Sequence, residues 1–69
     1  MAIVRVELGR RSQEQRDAII KGITEVMVAN GAKSEGTQVL LYEVDMDVWG
    51  RGGKTFEQRA AEQGITLPH

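Results

Sequence analysis

The sequence predicts an α/β (α+β) subunit built on one βαβ unit, closed by a carboxy-terminal hairpin and a short helix. Three observations carry this. Ala2-Ile3-Val4-Arg5-Val6-Glu7-Leu8 alternates apolar and polar residues at a period of two, as a half-buried strand does. A capping signal at Ser12 then opens a long segment of helical period, and Gln38-Val39-Leu40-Leu41-Tyr42-Glu43-Val44 supplies a second strand rich in apolar residues. Strand, helix, strand at these spacings gives parallel strands joined by a right-handed crossover.

The first strand starts at the second residue, which makes the amino end a structural position. If Met1 is trimmed, the strand opens with a free amine whose unperturbed pKa is about 7.7–8.0, suited to carrying a proton near neutrality. A turn at Gly9-Arg10-Arg11 follows. Ser12 as N-cap and Gln15 three positions on form a capping box, so the helix should run from about Gln13 to Asn30. Ile19, Ile20, Ile23, Val26 and Met27 make its apolar stripe, with Glu14, Arg16, Asp17, Lys21 and Glu25 towards solvent. Gly31 is placed to close it in the left-handed conformation, and Lys33 to Thr37 connect to the second strand. Val48-Trp49-Gly50-Arg51-Gly52-Gly53 reads as a tight hairpin. Thr55-Phe56-Glu57-Gln58 repeats the capping box to start a short helix ending near Gly64, and Ile65 to His69 form an arm.

All 69 residues, 7.6 kDa, make a single domain, with a core over 2–54 and the short helix and arm over 55–69. A chain this small buries only about 60% of its unfolded surface and commonly needs disulfides, a metal or self-association. There is no cysteine and one histidine, His69, so no disulfide, clustered metal site or cofactor is expected. Self-association is left. Val4, Val6 and Leu8 can pack beneath the helix, but the face bearing Ile3, Arg5 and Glu7 needs a second copy to cover it. A net charge of −1 with mixed signs gives no pull towards nucleic acid or an anionic membrane. Without an apolar run of about 20 residues or a signal-peptide pattern, the expected place is the cytoplasm.

The ordered set MAIVRVEL, GRRSQEQRDAII, QVLLYEV and VWGRGGK resembles the 4-oxalocrotonate tautomerase family over roughly residues 2 to 54. The resemblance implies a dimer-built hexamer of βαβ subunits that moves a proton on a small carboxylated enol or keto acid of the 2-hydroxymuconate type. It implies an amino-terminal proline as general base, a carboxylate-binding arginine at the helix start, a second arginine early in strand two, and an aromatic shield at the hairpin. Carried over, Ala2 stands at the base position, Arg11 (or Arg10, the turn being one residue shorter) at the helix start, Gln38 where the second arginine is expected, and Trp49 at the shield. Two of these depart from the family. Ala2 gives at most a primary amine, more mobile and more hydrated than proline's ring nitrogen, and Gln38 cannot make the bidentate charged pair of an arginine.

Each position also has a plainer reading. Arg10 and Arg11 suit a solvated turn, though cations do not favour a helix N-terminus. Trp49 suits a core or interface. Gly50, Gly52 and Gly53 are turn glycines, Arg51 a solvated turn residue, and Glu43, Asp45 and Asp47 an acidic surface triplet. Two functions follow: a tautomerase-like isomerase using a small carboxylate substrate, or a catalytically silent subunit of a homo- or hetero-hexamer, with a paralogous subunit supplying what is missing.

Overall fold

A computed structural model describes residues 1–64; the arm expected over 65–69 lies outside the described residues. Strand β1 (Ala2–Leu8) leads through the arginine turn into helix α1 (Gln13–Ala29), and a single 3₁₀ turn, Ser34–Gly36, precedes strand β2 (Thr37–Glu43). Two short strands, β3 (Gly50–Arg51) and β4 (Lys54–Thr55), make the hairpin that opens helix α2 (Phe56–Glu62). β1 and β2 pair in parallel from Ala2 opposite Thr37 to Leu8 opposite Glu43, and the hairpin is a separate antiparallel pair. The predicted βαβ unit, hairpin and short helix are all present.

Local chemistry sets the boundaries. Ser12 accepts from the Gln15 N–H while the Gln15 side chain accepts from the Ser12 N–H, completing the capping box. At the other end Asn30 is the C-cap and Gly31 takes φ +103°. The Gly31 N–H donates to Val28 O and the Ala32 N–H to Met27 O, a full Schellman closure. α2 repeats the box with Thr55 and Gln58. Gly52 and Gly53, at φ +65° and +84°, form the tip of the hairpin, where both central residues of a type I′ turn need positive φ. β2 begins and ends one residue before its expected limits; the Val44 N–H still donates to Leu8 O, so the pairing outlasts the strand by one bond.

Side-chain alternation follows the expected faces. Val4, Val6 and Leu8, with Val39 and Leu41, are half-buried against the helix, while Ile3, Arg5, Glu7, Gln38, Leu40 and Tyr42 are exposed on the other side. The helix departs from its expected stripe. Ile19, Ile23 and Met27 turn inward together with the aliphatic stem of Arg16, whereas Ile20 and Val26 stay exposed. The inward row 16-19-23-27 is one narrow line down the helix, and a two-stranded sheet is too narrow to reach its flanks. Only Gly9 and Ala60 are buried among the described residues, so one protomer holds almost no core of its own. No helix among the described residues is long and apolar enough to cross a membrane.

Candidate functional site

The residues after β1 and β2 come together because the parallel pair ends them at the same level. Glu43, the last residue of β2, receives the Arg11 N–H at 2.7 Å and Arg16 Nη1 at 2.8 Å on each carboxylate oxygen. Arg16 Nη1 also donates to Arg11 O at 2.6 Å, so this one guanidinium ties the helix start to the strand end. The Arg11 N–H and then Arg16 hold the Glu43 carboxyl below its ordinary range. Two residues on, Asp45 takes Arg10 Nε at 2.7 Å, and that bond raises the Arg10 pKa further above its already high ordinary value. Arg10, Arg11, Arg16, Glu43 and Asp45 thus line a polar cleft of about 670 Å³ in which Arg10 and Arg16 are paired with the two carboxylates.

Arg11 is different. Its Nη1 donates only to backbone carbonyls, Arg10 O at 3.0 Å and Gly9 O at 3.2 Å, and it has no acidic partner among the described residues. It also lines a second, mostly apolar cavity of about 400 Å³ with Glu7, Leu8, Gly9, Met46, Trp49 and Phe56. Trp49 and Phe56 meet edge to face, ring centroids 5.4 Å apart at 89°. The Phe56 N–H donates to Trp49 O and the Glu57 N–H to Met46 O, which anchors α2 and fixes this aromatic wall to the hairpin. Gly9 lies in close approach: a Cβ there would sit 2.5 Å from Met46 Cε, so the flexible end of that side chain would have to move.

Among the residues singled out in the sequence, Arg11 and Trp49 share a cavity, and Arg10 sits nearby, engaged with Asp45. Ala2 and Gln38 lie at the opposite end of the sheet, where Ile3 is opposite Gln38. Ala2 lines its own cavity of about 470 Å³ with Met1, Gly31, Ala32, Lys33 and Gly36, and the Gln38 amide touches Met1 Sδ at 3.7 Å. A seven-residue strand rising about 3.3 Å per residue puts roughly 20 Å between the Ala2 end and the Arg11 end of one protomer. Sequence reasoning missed Arg16, Glu43 and Asp45 as a linked cluster: Arg16 is not on the solvent side, and two of the acidic triplet are partners of arginines. It also passed over Met46 and Phe56 as parts of the cavity wall. Only the register of β1 against β2 could have revealed pairs 27 and 35 residues apart.

The family model described as "Tautomerase enzyme" matches residues 3–59. Among solved structures, TomN, a 4-oxalocrotonate tautomerase homologue in the tomaymycin biosynthetic pathway, superposes with a TM-score of 0.79 at 26% identity, over 86% of this chain and 94% of TomN. The 4-oxalocrotonate tautomerase homologue TTHB242 gives 0.74 at 32% identity, over 83% and 94%. An unfused 4-oxalocrotonate tautomerase in its apo form gives 0.77 at 25% identity, over 84% and 98%. No curated protein sequence matches significantly. The chain therefore belongs to the tautomerase family. Its class is that of a tautomerase-like isomerase with the 4-oxalocrotonate tautomerase fold.

Proposed function

We propose that this chain isomerises a small carboxylated enol or keto acid at a site shared between protomers, where the Arg11 end of one meets the residue 2 end of another. The observation that carries the reading is the Arg11 guanidinium, without an acidic partner among the described residues, beside the Trp49–Phe56 wall, with the amino-terminal end roughly 20 Å away in the same chain. A two-fold axis pairing β1 with a partner's β1 would run the strands antiparallel and bring opposite ends together. The uncovered face of Ile3, Leu40 and Tyr42 supports further association of such dimers, in keeping with a hexamer.

In that arrangement the substrate carboxylate takes the Arg11 charge. The amine of Ala2, exposed once Met1 is removed, accepts the enol hydroxyl proton and returns it to carbon, so no net proton is consumed. Trp49 shields this exchange from water. Gln38 would offer a neutral hydrogen bond where the family resemblance implies a second cation.

Replacing Ala2→Pro in protein shown by mass spectrometry to lack Met1 should raise kcat/KM on a simple enol acid, since a positioned general base typically contributes 10²–10⁴-fold. Adding Gln38→Arg should raise it again through carboxylate binding. If the parent and both variants, confirmed as assembled, stay at the buffer rate, the tautomerase reading fails for this chain. That result would favour the second reading, a silent structural subunit, which rests on the paired departures at Ala2 and Gln38.

A further inference from the structure

We infer that two copies of this chain join edge to edge along β1 in one register, with Arg5 of each copy paired to the partner's Glu7 and Val6 facing the partner's Val6 across the two-fold axis. This rests on the shared site proposed above and deepens it by fixing where the second copy sits. The first observation is the free edge. β1 is bonded on one side only, to β2, so among the described residues its other side presents a row of open backbone N–H and C=O groups. The strand is seven residues long, contains no proline and runs in unbroken register with β2, so nothing in it blocks a further strand. The second observation is on the exposed row of that strand. Arg5 and Glu7 are both exposed, and neither has an ion-pair partner among the described residues. They point to the open face of Ile3, Leu40 and Tyr42, where a charge covered by further copies loses its hydration unless it is paired.

Symmetry leaves few registers to choose from. With both helices on one face of the joined sheet, directly opposite residues point to the same side, so the axis passes beside a residue that faces its own copy. Three centres keep most of β1 paired. Centred on Val4, Arg5 lies opposite Ile3 and Glu7 falls beyond the start of the strand. Centred on Arg5, two guanidinium groups meet directly and each Glu7 lies against Ile3, which is destabilising. Centred on Val6, Arg5 lies opposite the partner's Glu7 on both sides of the axis, and Val4, Val6 and Leu8 meet the partner's Leu8, Val6 and Val4 on the helix side. This register also bears on the site. It brings Ala2 level with the partner's Arg10, beside the turn that carries Arg11, whereas the Arg5-centred register leaves Ala2 level with Leu8.

The chain has no cysteine, so one introduced thiol reports one position. Val6→Cys changes no charge and sets the thiol opposite its own copy at a Cα separation of about 4.5–5.5 Å, within disulfide reach. Mild oxidation of the assembled protein should give a covalent dimer from Val6→Cys, and no mixed product when Val6→Cys and Val4→Cys chains are co-assembled. A disulfide between residues 4 and 6 marks an axis at Arg5, one between two copies of residue 4 an axis at Val4, and either overturns the inference, as does an oligomer that fails to cross-link at residue 6. Arg5→Glu and Glu7→Arg should each weaken self-association at least about tenfold in sedimentation, because attractive cross-strand pairs become repulsive ones. Mixed in equal amounts the two variants should assemble together, and the chain carrying both changes, which exchanges the signs, should associate like the parent. Single variants that associate like the parent, or a double variant no better than the singles, overturn the pairing. Turnover separates this inference from the reading beneath it. Cross-linking at residue 6 in protein that leaves an enol acid at the buffer rate upholds the register and defeats the tautomerase, and turnover by protein cross-linked elsewhere does the reverse.

Discussion

Glu43 joins three parts of the protomer: its carboxylate sits at the end of β2, accepts the backbone N–H of the arginine turn and receives Arg16 from the first turn of α1. These donors act on the ionised form, so the folded pKa lies below the ordinary 4.5. On acidification the unfolded chain therefore takes up this proton first, and the contribution to stability is present above the ordinary carboxylate range and lost as pH falls through the lower, folded value. The unfolding midpoint in urea, followed downward from neutral pH at fixed protomer concentration, should decline in that acidic window. Glu43→Gln should flatten the decline and lower the midpoint at neutral pH, because an amide offers Arg16 no charge. A midpoint unaffected by the substitution would mean that this exposed cluster merely decorates the helix start. The importance of Glu43 was not legible in the sequence, where nothing local distinguishes it from Asp47.

The elements, by contrast, carry their limits in their own residues. Both helices open on a hydroxyl residue followed three positions later by glutamine, a pattern of purely local hydrogen bonds, and both match their expected starts. Gly31 closes α1 at φ +103°, a conformation that costs an L-residue roughly 1–2 kcal/mol. No atom lies within 4 Å of a Cβ built there, so the penalty for Gly31→Ala comes from backbone strain alone. A loss of about 1 kcal/mol should appear as a lower thermal midpoint with activity and assembly preserved at working temperature. Gly9→Ala tests the opposite case, since φ is not the constraint there. The new methyl must displace the flexible tip of Met46, so the thermal midpoint should fall only modestly.

At the scale of the molecule, the single chain is open for its size. Its accessible surface is 5302 Å², where a folded monomer of 7.6 kDa is expected to expose about 4,300 Å². Its radius of gyration is 15.4 Å against about 11 Å expected for 69 residues. Exposed Ile3, Leu40 and Tyr42 on the sheet, with Ile20, Val26 and Val28 on the helix, are the surfaces available to other copies. Sedimentation should find an oligomer at micromolar concentration, and a folded monomer there would sink the assembly. Leu40→Lys, at the centre of the open face opposite Arg5, should shift the equilibrium to smaller species and lower thermal stability in a concentration-dependent way.

The sequence by itself determined whatever depends on near neighbours. The period-two strand, the caps, the glycine closures and the hairpin turn each follow from residues within about four positions of one another, and the ordered motifs sufficed to identify the family. It also marked Arg11 and Trp49 individually. Their sharing of a cavity, and the removal of Arg10 and Arg16 from service by Asp45 and Glu43, were decided by the tertiary structure, because parallel pairing brings together chain ends some 30 residues apart. The same pairing keeps Ala2 and Arg11 at opposite ends of one strand. A seven-residue strand is stiff and extended, so their distance within a protomer is a property of the sheet that no adjacency of motifs along the chain discloses.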